Sequence, residues 1–154
     1  MYSKQEASQL RQEFWTTLGR YMSPVLSAVG EKVNWINYKT GEKSTFFRLH
    51  ADNKQAFIAL EFAQRDTAIQ ELYFQQLQQL RILFEEEAGS DWTWQLHHCD
   101  DQGHVVSRVV AFLEDVSVFR KEDWHQMISF FKPRLIALEA FWSQARYAFE
   151  ALRG

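Results

Sequence analysis

The sequence predicts one α+β domain over residues 1–154: an antiparallel sheet of about five strands in the order α-β-β-β-α-β-β-α-α, with the helices packed on the sheet. Three observations carry this reading. Short β-prone runs bounded by turn residues occur in two blocks, and apolar residues at helical spacing flank both blocks. The third is aromatic content, 13 Phe, 6 Trp and 5 Tyr among 154 residues, enough to fill a thick core without a metal or disulfide staple.

Ser3 and Glu6 have the spacing of a capping box, and Ala7, Leu10, Phe14, Leu18 and Tyr21 recur at helical period until Ser23-Pro24. The run VNWINY from Val33, the turn at Lys39 to Glu42, STFFRLH, the Asp52-Asn53 turn and QAFIALEF then read as a three-stranded meander. In its third run Ala56, Ile58, Leu60 and Phe62 share one face, which leaves Phe57, Ala59 and Glu61 on the other. Asp66-Thr67 caps a second helix carrying Ile69, Tyr73, Leu77, Leu80 and Phe84, with Gly89 at its C-terminal end. Trp92, Trp94 and Leu96 alternate with polar residues, and HVVSRVVAF returns after Asp100 to Gly103, a second hairpin. The tail, Lys121 to Arg153, is helical by period, and Pro133 predicts a break or kink near Phe131 to Lys132. Phe14 and Phe141 lie on apolar stripes of the two terminal helices, which are expected to pack on the same sheet.

Cys99 is the only cysteine, so no intrachain disulfide forms and a reducing compartment is expected. The start MYSKQEASQ lacks the apolar run of a signal peptide, and no stretch has the length of a membrane span, so the cytoplasm is the expected location and a membrane is not an expected partner. Net charge is −3, but residues 61–115 hold 11 Asp/Glu against 3 Lys/Arg while both ends are mildly basic. The simplest account of that acidic stretch is a solvated surface.

The stretches EASQLRQEFW, GEKVNWINYKTG, ADNKQAFIALEF, IQELYFQQL, WTWQLH, DWHQMISFFKPRLIALEAFW and YAFEALR resemble a bacterial family of domains of unknown function, domain of unknown function 4268. The resemblance covers nearly the whole chain. It implies a small free-standing member of a family whose longer relatives carry nuclease-like modules, and hence a link to DNA metabolism or defence. It supplies no catalytic residue.

Candidate chemistry is sparse. The helix-and-strand order matches restriction-endonuclease-like nucleases, which need an Asp, a Glu and a nearby Lys to hold Mg²⁺ and activate water. Asp52 and Glu61 are placed for the carboxylates, but the lysine position is Ala63, so Lys54 or Arg65 would have to reach in. That makes a degraded nuclease fold the alternative reading. His97-His98-Cys99-Asp100 resembles a metal cluster only as letters, because alternation lets just two of the four act together, and His50 or His104 could add one ligand by folding. No metal site and no cofactor are expected. Nor does the sequence hold a phosphate loop or a G-x-S-x-G elbow.

What remains is a binding or accessory module without catalysis, its partner a protein or a nucleic acid. The expected patch is Tyr38, Lys39, Lys43, Arg48 and Lys54 on the first hairpin, where aromatic and basic side chains interleave.

Overall fold

The computed structural model describes residues 2–153. Helix α1, Lys4–Met22, begins where Ser3 Oγ accepts the Glu6 amide at 3.1 Å, and its Phe14, Leu18 and Met22 are fully buried. Strands β1, Thr45–Ala51, and β2, Gln55–Phe62, follow as a hairpin. Next come α2, Thr67–Gln79, and α3, Arg81–Ala88, then β3, Thr93–Cys99, β4, Val105–Glu114, a short 3₁₀ turn at Lys121–Asp123, and α4, Trp124–Glu150. The sheet is antiparallel in the order β1-β2-β4-β3, so four strands form where about five were expected.

The missing strand is VNWINY. Asn34 Oδ1 accepts the Asn37 amide at 3.1 Å and turns the chain, which ends any period-two alternation, and among the described residues the only ladder contact nearby is the isolated bridge Lys39↔Phe46. The aromatic residues of this segment are anchors instead. Trp35 Nε1 donates to Val25 O at 3.0 Å, Tyr38 lies flat on Phe47 at 4.4 Å, and Trp142 Nε1 reaches from α4 to Thr40 O at 2.8 Å.

The helix expected from Asp66 to Gly89 is two helices. Asp66 caps α2 by accepting from the Ala68 and Ile69 amides, but Leu80 leaves helical geometry and its amide bonds back to Leu77 O at 3.0 Å. That tightened turn re-aims Phe84, whose ring meets Trp92, Trp94 and Phe141 edge-on.

Helix α4 runs unbroken through Pro133, against the expected break. Pro133 and Ser129 are both exposed, so the carbonyl that loses its donor faces water, and the guanidinium of Arg134 satisfies the neighbouring Phe130 carbonyl at 3.2 Å. Helix α4 lies on β2, whereas α1 packs mainly on α4, with Phe14 against Trp124 and Phe131, rather than alongside it on the sheet.

Cross-strand register sorts the two faces. Ala56, Ile58, Leu60 and Phe62 of β2, with Phe47, Val109 and Ala111, join the helical core, as the alternation in β2 requires. Phe46, Arg48 and His50 of β1, Phe57, Ala59 and Glu61 of β2, and Arg108, Val110 and Phe112 of β4 occupy the other face. The helices leave that face open.

Candidate functional site

A cleft of about 680 Å³ lies over the open face, and its lining comes wholly from strands and turns. A β-bulge gives it depth. Gln95 pairs with Arg108 and His98 with Val106, so Leu96 and His97 together oppose Ser107. His97 takes a φ of +50°, its amide bonding Ser107 Oγ at 3.0 Å. Ser107 in turn donates to the buried Gln70 of α2 at 2.6 Å, which fixes the bulge to the core. Beyond the bulge, the hairpin tip brings Asp100, Asp101, Gln102 and His104 to the rim of the cleft.

Arg108 is the central group. It is 6% exposed, its Nε donates to Gln95 Oε1 at 2.7 Å, and its Nη2 lies 3.3 Å from His98 Nε2. Its guanidinium sits 4.9 Å from the centre of the Phe57 ring and 5.9 Å from that of Phe112. His50 also stacks on Phe57, at 4.7 Å, so an imidazole and a guanidinium both lie against one benzene ring. Burial lowers the Arg108 pKa below the usual guanidinium value, and the more distant carboxylates of Glu61, Asp100 and Asp101 act against that shift. Phe46 and Phe112 are 38% and 37% exposed at opposite corners of the face.

The other arginine is committed. Arg48 Nε meets Glu61 Oε2 at 3.0 Å and its guanidinium covers the Phe46 ring at 4.5 Å. Asp52 belongs to the β1-β2 turn: its Oδ1 accepts the Lys54 and Gln55 amides, both at 2.9 Å, and its Oδ2 meets His50 Nε2 at 2.7 Å. Burial would raise the Asp52 pKa, but the bonds from His50 and the two amides prevail and hold it below the usual carboxylate range.

The residues of the alternative nuclease reading are thus placed apart. Glu61 pairs with Phe46, and Asp52 lies six residues further along that strand direction, about 20 Å away at 3.3 Å per residue. Asp52, Glu61 and Lys54 therefore do not converge on one metal position. Of the histidine run, His98 lines the cleft, His97 turns to Thr67 O at 3.0 Å, and Cys99 is exposed. Among the described residues no three His, Cys, Asp or Glu side chains are grouped to hold a metal ion.

The basic patch also divides. Tyr38 faces inward, stacked on Phe47 and donating to Glu139, while Lys39 and Lys43 are exposed near the start of β1 and Lys54 is exposed at its far end. Only Arg48 of the five lines the cleft. Arg108, Phe57, Phe112 and Gln95 are functional candidates the sequence reading passed over, and His98 entered it only as a metal ligand. Their signal was present in HVVSRVVAF, where one arginine interrupts an apolar run at the same parity as Val106, Val110 and Phe112.

The family model described as Domain of unknown function (DUF4268) matches residues 10–146. The chain belongs to that family. No curated protein and no solved structure matches it. The DUF4268 match runs from within α1 to within α4, so it includes the whole sheet, the bulge and every residue of the cleft. Among the described residues, no helix of this DUF4268 member is long and apolar enough to cross a membrane.

Proposed function

We propose that this DUF4268 chain is a binding module without chemistry of its own, and that it receives a protein partner on the open face of its sheet. The observation that carries the reading is the composition of that face: exposed Phe46 and Phe112 around a cleft whose two arginines, Arg48 and Arg108, stand against Glu61, Asp100 and Asp101. Aromatic residues and arginine are the types enriched where protein interfaces concentrate their binding energy. A charge balance this close to neutral suits a protein segment better than a phosphate backbone, which binds by displacing counterions from a clear excess of cations.

Single-stranded nucleic acid is the second reading. Exposed Lys39 bridges Phe46 across the strand and the Arg48 guanidinium covers one side of its ring, so a base stacked on Phe46 would have two cations beside it. The resemblance to a family whose longer relatives carry nuclease-like modules supports a link to DNA metabolism or defence with either partner.

The test is affinity capture from lysate of the native host, after nuclease treatment, with three baits: parent, an open-face variant Phe46→Ser/Phe112→Ser, and a control altered at the exposed Ile82 of α3. A protein retained by the parent and the α3 variant but not by the open-face variant supports the proposal. Retention by all three overturns it. Loss of retention on nuclease treatment, with salt-dependent binding of an oligonucleotide, moves the assignment to nucleic acid.

A further inference from the structure

Arg108 is a buried cation without a carboxylate partner. Its two hydrogen-bonding neighbours are an amide oxygen and an imidazole nitrogen, and among the described residues it forms no ion pair. The nearest carboxylate of the sheet, Glu61, already holds Arg48. Buried charges in proteins are ordinarily paired, because an unpaired one forfeits hydration with nothing in return. Nη1 carries no protein hydrogen bond among the described residues, and the group opens on a cleft of about 680 Å³, with the small, buried Ala59 and Val110 between it and the Phe57–Phe112 pair on the same sheet face. Phe57 and Phe112 flank it, and of the two it is Phe112 that is exposed to whatever enters.

We infer that the cleft is a site for a single carboxylate carried next to a flat apolar group, as in a partner segment where an acidic side chain or chain end adjoins an aromatic residue, with Arg108 as its anchor. This rests on the open face being the docking surface and specifies what docks there. One free guanidinium balances one negative charge. Asp100 and Asp101 at the rim and Glu61 on the floor oppose a second, which favours a carboxylate over a doubly charged phosphate. The flat body packs on the exposed Phe112, beside the flat groups of Arg108, Phe57 and His50.

Amide NMR titration of the full chain tests this with three probes: benzoate, its neutral analogue benzamide, and phenyl phosphate. Benzoate should shift the amides of Ala59, Arg108 and Val110 at millimolar concentration, with benzamide weaker by about tenfold or more, the value of a charge-assisted bond in a buried site. Arg108→Gln should abolish the benzoate shifts. Equal binding of benzoate and benzamide, or no shift from benzoate, overturns the anion site, and that comparison needs no variant. Tighter binding of phenyl phosphate overturns the carboxylate in favour of a phosphate. Failure here with capture still dependent on Phe46 and Phe112 rejects the ligand assignment alone; retention by all three baits rejects the docking face itself.

Discussion

Tyr38 donates its hydroxyl to Glu139 Oε2 at 3.2 Å, joining the irregular segment before β1 to the middle of α4 across 101 residues. The other oxygen of the same carboxylate accepts the Ala28 amide at 2.6 Å, and Glu139 is only 3% exposed. Burial first, and then the charge and bond of Glu139, push the Tyr38 phenol above its ordinary pKa. This carboxylate does for residues 28–38 what a strand ladder would have done.

Replacing it should therefore loosen that segment first. Glu139→Ala is expected to cost about 3 kcal/mol, because two bonds to a charged, buried acceptor are lost together. Tyr38→Phe should cost about 1 kcal/mol, since only its hydroxyl is removed. Urea melts give both values, and hydrogen exchange should show the Ala28 amide opening in Glu139→Ala before the amides of β2.

The aromatic core makes a second expectation. Phe14 packs against Trp15, Trp124 and Phe131, Phe141 against Phe84, and both are fully buried. Phe14→Ala or Phe141→Ala should each cost about 3–5 kcal/mol, the transfer loss plus the cavity. A thermal midpoint within a degree or two of the parent would count against this packing.

The Asp52 turn should lose its contribution in acid. Its folded pKa is below the unfolded value of 3.8, so its stabilisation is fully present above pH 3.8 and fades as pH falls through the lower folded value. The expected gap between parent and Asp52→Ala is about 1–2 kcal/mol at neutral pH, from the amide bonds it accepts. That gap should close below pH 3.8. A gap that stays constant from pH 7 to pH 2 would deny the turn its charge-dependent bonds.

Much of the architecture was legible because local signals agreed with the tertiary ones. Ser3 and Asp66 cap the helices they announce, and the alternation from Ala56 to Phe62 assigns both faces of β2 correctly. VNWINY misled because its aromatic residues look like strand formers, whereas their polar atoms bond Val25 O and Glu139 and their rings pack without a ladder. Pro133 misled because its cost depends on which side of α4 faces water, a tertiary fact. The site was the least legible part. Arg48 and Glu61 were noticed separately, but their pairing depends on register, and Arg108 gains meaning only once β2, β3 and β4 surround it.

We infer that Arg108 is kept for a ligand and not for the fold, and urea denaturation of Arg108→Met is the decisive measurement. Replacing a buried charge that lacks an ionic partner with an apolar side chain of similar length removes a desolvation penalty, while Gln95 and His98, both partly exposed, can turn to water. Stability should stay unchanged or rise by up to about 2 kcal/mol, the usual sign for a residue held against stability for function. A loss of about 2 kcal/mol or more would show that the guanidinium holds the sheet together, and would contradict the account.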